Sequence, residues 1–115
     1  MIYKIVSRAE WSAAVTAGRY DGSADDRRDG FVHLSSAEQL PGTAERHFAG
    51  QSDLLVLAVD PDRLGDALRW EPSRGGALFP HVHGPLPLAA VVDAADLPAD
   101  VPTAAAVAAA LTALA

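Results

Sequence analysis

The sequence predicts an α+β domain with a mainly antiparallel, twisted sheet and helices around it. Three observations carry that prediction. Leu54-Leu55-Val56-Leu57-Ala58-Val59 is a short unbroken apolar run between polar ends, the mark of a strand buried on both faces. Other strand-like segments lie on either side of it, and helical segments do not alternate regularly with them, which argues against a doubly wound arrangement. The chain has 115 residues, half of them hydrophobic, which suits one domain around one core.

The elements follow in order. Ile2 to Val6 reads as the first strand, with Tyr3 and Ile5 on one face. Ser7 caps a helix, with Glu10 three residues on; Trp11, Ala14 and Val15 form its narrow apolar stripe, and Gly18 stops it. Residues 19–29 read as a loop whose charges nearly cancel, either a solvated connector or a place for Arg27 or Arg28 to meet a phosphate. Asp29-Gly30 is a turn, Phe31 to Leu34 a short strand, and Ser35 a helix cap, with Glu38 placed as in a capping box. Leu40, Ala44, His47 and Phe48 continue a helical stripe, which Pro41 interrupts, so the helix restarts near that proline. His47, on the stripe's edge, reads as a structural or exposed side chain.

After the central apolar run, Asp60-Pro61-Asp62 turns the chain. Ala67 to Glu71 alternates as a strand, with Leu68 and Trp70 facing one way and Arg69 and Glu71 the other. Residues 72–77 form a flexible loop. Pro80 and Pro85 mark Leu78 to Pro85 as an edge or irregular strand. Leu86 to Asp93 is the last strand, and Pro102 opens a final Ala-rich helix over residues 102–114, with Val107, Leu111 and Leu114 at spacings of four and three. With no repeat and no linker, residues 1–115 read as a single domain.

Composition narrows the function. A formal charge of −6 argues against a general nucleic-acid binder, whose affinity comes mostly from Lys and Arg on phosphates. No cysteine is present, so disulfides and thiolate metal sites are excluded. Residues 1–11 lack the pattern of a signal peptide, and the Ala-rich tail is too short to span a bilayer. These features lead us to expect a soluble cytoplasmic protein with no membrane partner.

Polar residues in strand-like surroundings carry the functional signal. In a strand Phe31, His33 and Ser35 share one face, as do Arg69 and Glu71, and His81 and His83. If the strands are neighbours, these side chains line one cleft. A carboxylate beside imidazoles suits general acid–base work or the orientation of a sugar hydroxyl, and equally a structural Arg–Glu–His network. A helix N-terminus after Ser35 would hold an anionic group. His81-Val82-His83 also raises a metal site with His33 or Glu71 as third ligand, but the spacing is weakly specific, and no metal is assigned. Arg74-Gly75-Gly76 matches no nucleotide fingerprint and reads as a mobile loop or lid.

Gly30 to Ser35, the Ala44 to Phe48 helix, Arg69-Trp70-Glu71 and Phe79 to Leu86 together resemble the bacterial and plant family called domain of unknown function 952. The resemblance spans Ile2 to about Val92. This chain departs from it at His83, where the family usually has Tyr. The resemblance implies an ADP-ribosyltransferase-like fold, a split pair of small sheets around a cleft that takes NAD or ADP-ribose. On that basis Gly30 to Ser35 corresponds to the motif that opens a helix, Glu71 to the acidic residue on the nicotinamide ribose, and Lys4 or Tyr3 to the early-strand position. The expected role is binding of a nucleotide or ADP-ribose-type small molecule, with transferase or hydrolase chemistry. Glu71, His33 and His81 are then the candidate catalytic residues, and Ser35, Arg69, Arg74 and Lys4 the candidate ligand contacts. Two other readings stay open: a binding or interaction module without turnover, and a metal-dependent enzyme using His81, His83 and His33.

Overall fold

Six consecutive apolar residues need cover on both faces, and the fold supplies it. The computed structural model describes residues 1–115. It runs β1 (Ile2–Ser7), α1 (Arg8–Ala17), α2 (Ala24–Asp29), β2 (Val32–His33), α3 (Leu40–Phe48), β3 (Leu54–Val59), β4 (Leu68–Pro72), β5 (Leu78–Val82), β6 (Val91–Leu97) and α4 (Thr103–Leu114). The strands form two small antiparallel sheets, ordered β1-β3-β6 and β2-β5-β4. The protein is therefore α+β, and all six residues of β3 are buried at the centre of the first sheet.

Each face of that sheet has its own core. Ile2 and Val6 of β1 join Leu55, Leu57 and Val59 of β3 against Val32, Leu34 and Val82 of the second sheet, with Ala14 of α1 and Tyr20. On the opposite face Ile5, Leu54 and Val56 pack against Leu40 and Ala44 of α3 and Ala106, Val107 and Ala110 of α4. Removing such side chains from water is what holds the layers together.

Local signals set the ends of several elements. Ser7 accepts a hydrogen bond from the Glu10 backbone N–H at 3.0 Å, and Gly18 closes α1 in the left-handed region at φ 74°. The stripe on α1 is narrower than expected, because Val15 is exposed while Ala14 is buried. Pro41 lies in the first turn of α3, where its missing N–H is harmless.

Four expectations need correction. Residues 19–29 are not one loop: Ser23 and Asp26 form a capping box that opens α2. The expected Ser35 cap is not made: α3 starts at Leu40 without a side-chain cap, and a reciprocal pair forms in the turn before it. Ser36, not Ser35, accepts from the Gln39 N–H, and the Gln39 side chain accepts from the Ser36 N–H. Strand β5 is central rather than an edge. In a strand the N–H and C=O of one residue point the same way, and the Pro80 carbonyl accepts from Leu34, so its missing donor falls just past the end of β2. The last strand begins at Val91, because Leu86 pairs alone with Tyr20 and Leu88–Ala90 forms a 3₁₀ turn first.

The two sheets meet at one backbone bridge, where Tyr3 and Ser35 exchange N–H to carbonyl hydrogen bonds of 2.8 and 2.9 Å. Beyond it β1 and β2 part. The N–H of His33 points the same way as that of Ser35, but it donates to the Asp26 carboxylate at 3.1 Å instead of to β1. The other oxygen of Asp26 pairs with Lys4 of β1 at 2.8 Å, with both side chains buried. The buried carboxylate thus stands where a backbone ladder would otherwise continue.

Burial alone would raise the Asp26 pKa. The hydrogen bond with His33, the charge and hydrogen bond of Lys4, and the Ser23 backbone N–H outweigh burial and hold it well below the usual carboxylate range. A depressed folded-state value means that this stability is present above the unfolded-state pKa and is lost as pH falls toward the folded-state one. Asp26→Asn leaves Lys4 buried and unpaired, and we expect it to cost about 3–5 kcal/mol in urea denaturation near neutral pH. The wild-type advantage should shrink steadily as the same titration is repeated between about pH 5 and pH 2. A pH-independent difference would show that Asp26 is not the titrating support.

Candidate functional site

The divergence of β1 and β2 opens a cleft of about 410 Å³. Its walls come from Tyr3, Lys4 and Ile5 of β1, from His33, Leu34 and Ser35, and from Thr43, Arg46, His47 and Phe48 of α3. Ser73, Arg74 and Gly75 of the β4–β5 loop close one end, and Asp25, Asp26, Arg28 and Asp29 of α2 line another part.

Antiparallel pairing sets the floor. His33 of β2 is opposite His81 of β5, and His81 is opposite Arg69 of β4. Directly paired residues project to the same face, so these three form one row across the second sheet. Phe31 stacks on His81 with ring centres 4.2 Å apart and also contacts the rings of His33 and His83. The rings of His33 and His81 stand edge to face at 5.3 Å.

Each imidazole of the pair is braced by a carboxylate. His33 Nδ1 lies 2.6 Å from Asp26, and its Nε2 lies 3.1 Å from Asp29. His81 Nδ1 lies 2.8 Å from Glu71 Oε1, and His83 Nε2 meets the same oxygen at 2.7 Å. The His83 hydrogen bond first, and then that of His81, hold the Glu71 carboxyl below its ordinary value. An ionised carboxylate only accepts, so the proton on neutral His81 sits at Nδ1. Its Nε2 is buried and has no hydrogen-bond partner.

The candidate residues therefore divide. His33, His81, Ser35, Lys4 and Arg74 all line the cleft. Glu71 shares the sheet face but stands outside the cleft wall, behind His81. Arg69 is exposed and also outside the wall. The Ser35 hydroxyl is engaged with Thr43 Oγ1 at 2.8 Å, and Lys4 is spent on Asp26. No group of three or more His, Asp or Glu side chains is arranged to hold a metal ion. The helix N-terminus expected just after Ser35 does not face the ligand space. Helix α3 starts at Leu40, and the residues it gives to the cleft lie toward its C-terminal end.

The sequence reading missed Asp26, Thr43 and Arg46 and set His47 aside. The Ser23-to-Asp26 spacing was a legible cap signal. Thr43, Arg46 and His47 recur three and four residues apart, beside the Leu40 and Ala44 stripe, and so share a helix face. Arg28 is held by Asp25 and Asp29, whereas Arg46 and Arg74 have no carboxylate within ion-pair distance. The Arg74 guanidinium lies over the Phe79 ring at 5.0 Å. The pKa of His47 is lowered by partial burial, then by the charges of Arg74 and Arg46, so both arginines act on the same region of the cleft.

Residues 5–94 match the family model described as a protein of unknown function, DUF952. The crystal structure of protein CC0527 from Caulobacter crescentus is 53% identical, with a TM-score of 0.84 over 89% of this chain and 90% of that one. The solution structure of the same protein gives 55% identity and a TM-score of 0.75, over 84% of this chain and 83% of that one. None of the curated proteins matches. With the family model covering most of its length, the chain belongs to the DUF952 family.

Proposed function

We propose that the cleft binds a small phosphate-bearing ligand of the nucleotide or ADP-ribose class. One observation carries the reading: Arg46 and Arg74, without carboxylate partners, face one cleft in a chain of net charge −6. Four cationic side chains line that cleft against three carboxylates. Guanidinium groups free of carboxylate partners suit the planar, multidentate contacts that phosphate oxygens offer. His33 and His81 with Phe79 and Phe48 add aromatic faces and ring nitrogens for the rest of the ligand. Two small sheets parting around a cleft also suit the ADP-ribosyltransferase-like architecture implied by the family resemblance, which favours NAD or ADP-ribose over a bare anion.

A ligand that binds only the folded state raises the melting temperature with its concentration. NAD or ADP-ribose should therefore raise it more than inorganic phosphate at equal millimolar concentration, and Arg46→Ala or Arg74→Ala should remove most of that shift. No shift with any of the three would sink the reading.

Gly42 gives a sharper test. A Cβ built there would lie 3.0 Å from Arg74 Nη2, so alanine crowds the guanidinium without touching the core. Alanine is favoured over glycine within a helix by up to about 1 kcal/mol. Gly42→Ala should thus leave unliganded stability unchanged or slightly raised, while calorimetry shows weaker ADP-ribose binding. Unchanged affinity would remove Arg74 from the site.

A further inference from the structure

Resting on the nucleotide reading, we propose that His81 Nε2 accepts a hydrogen bond from a hydroxyl of the bound ligand, with Glu71 as the positioning residue that keeps this nitrogen unprotonated. Three observations converge. His81 lines the cleft, yet its Nε2 is a buried acceptor with no partner in the protein. Glu71 holds the opposite ring nitrogen from outside the cleft wall, which leaves the lone pair on the unpartnered side. The same Glu71 oxygen is bound by His83 Nε2, so the carboxylate is anchored at a fixed place by a second imidazole.

A buried acceptor left unmet disfavours the empty state, and a ligand hydroxyl removes that cost. No protein atom meets Nε2, and His81 lines the cleft, so in the proposed complex the ligand supplies the donor. Phosphate oxygens are acceptors themselves and cannot satisfy a lone pair. The site thus asks for two chemistries in one molecule: phosphate toward Arg46 and Arg74, and a hydroxyl donor toward His81. A sugar phosphate with a free ribose meets both.

The test has two arms. In the first, two-bond ¹H–¹⁵N correlation spectra of ¹⁵N-histidine protein without ligand report which His81 nitrogen carries the proton. We expect Nδ1–H with a bare Nε2 in wild type and in His83→Ala, and loss of that preference in the half-exposed variant Glu71→Ala. In the second, calorimetry compares ADP-ribose with 2′,3′-dideoxy-ADP, which keeps the diphosphate but has no ribose hydroxyl, in wild type and in His81→Phe. Wild type should prefer ADP-ribose by about tenfold or more, and His81→Phe should lose the preference while still binding the dideoxy nucleotide. Ordinary folding of His81→Phe is checked by its melting curve; if it unfolds, Glu71→Ala serves in its place and should narrow the same ratio.

A protonated Nε2 in the wild type overturns the proposal whatever binds. Equal affinity for ADP-ribose and 2′,3′-dideoxy-ADP, or a preference that survives the variants, overturns it while leaving the nucleotide reading intact. Failure of both ligands to bind overturns that reading, and the hydroxyl assignment with it.

Discussion

The cleft exists because a side chain has taken the place of a backbone. Strands β1 and β2 begin to pair at Tyr3 and Ser35, and the His33 N–H is aimed to extend the ladder. Asp26 intercepts it. The carboxylate satisfies the His33 amide with one oxygen and the Lys4 ammonium with the other, so the strands part without leaving a buried donor unmet. A neutral side chain at position 26 would leave Lys4 uncompensated between the sheets. Two walls of the cleft meet at that wedge, with β1 on one side of it and His33 on the other.

The same wedge orders the chemistry of the floor. Asp26 fixes His33 through Nδ1, and Glu71 fixes His81 through Nδ1, so both rings are braced from one side. Phe31 packs against both rings. The difference between the two imidazoles lies at the other nitrogen. That of His33 faces Asp29, while that of His81 faces no protein acceptor or donor. Two similar side chains on paired positions are thereby given unequal roles: His33 belongs to the charge network of α2, and His81 keeps unused hydrogen-bonding capacity.

Much of this was legible from pattern alone. The apolar run at Leu54–Val59, the Ser7 cap and the Gly18 stop are local signals, and each lies where its residues demanded. Period-two alternation put Arg69 with Glu71, and His81 with His83, on shared strand faces, but the neighbours and register that set His33 opposite His81 and His81 opposite Arg69 come from the fold. Legibility failed where local signals competed. The charges of residues 24–29 looked like a solvated connector, because nothing local says that Asp26 is buried; its partner Lys4 is 22 positions away in sequence. Pro80 looked like an edge marker, because the sequence does not show that β2 ends before the missing donor matters. Ser35 and Ser36 both suit a cap, but the bridge to Tyr3 occupies the backbone of the first, and the second makes the reciprocal pair with Gln39 in the turn before α3.

The start of α3 at Leu40, well past Ser35, changes the electrostatic argument for the cleft. A helix N-terminus beside Ser35 would have attracted an anion through its unpaired N–H groups. Instead α3 gives the cleft residues from its later turns, where the helix carbonyls bring partial negative charge. A bare anion finds no help from the backbone there, and the chain as a whole repels it. Attraction must come from side chains, and among those lining the cleft Arg46 and Arg74 are the two whose charge is not already answered by a carboxylate. Arg46 rides on the last turn of α3, where it also offsets the helix dipole, and Arg74 reaches in from a loop with Gly75 and Gly76 at positive φ. A site built in this way favours a ligand that holds its phosphate at a set distance from a second anchoring group, because neither charge pattern nor dipole alone supplies enough to keep a free ion.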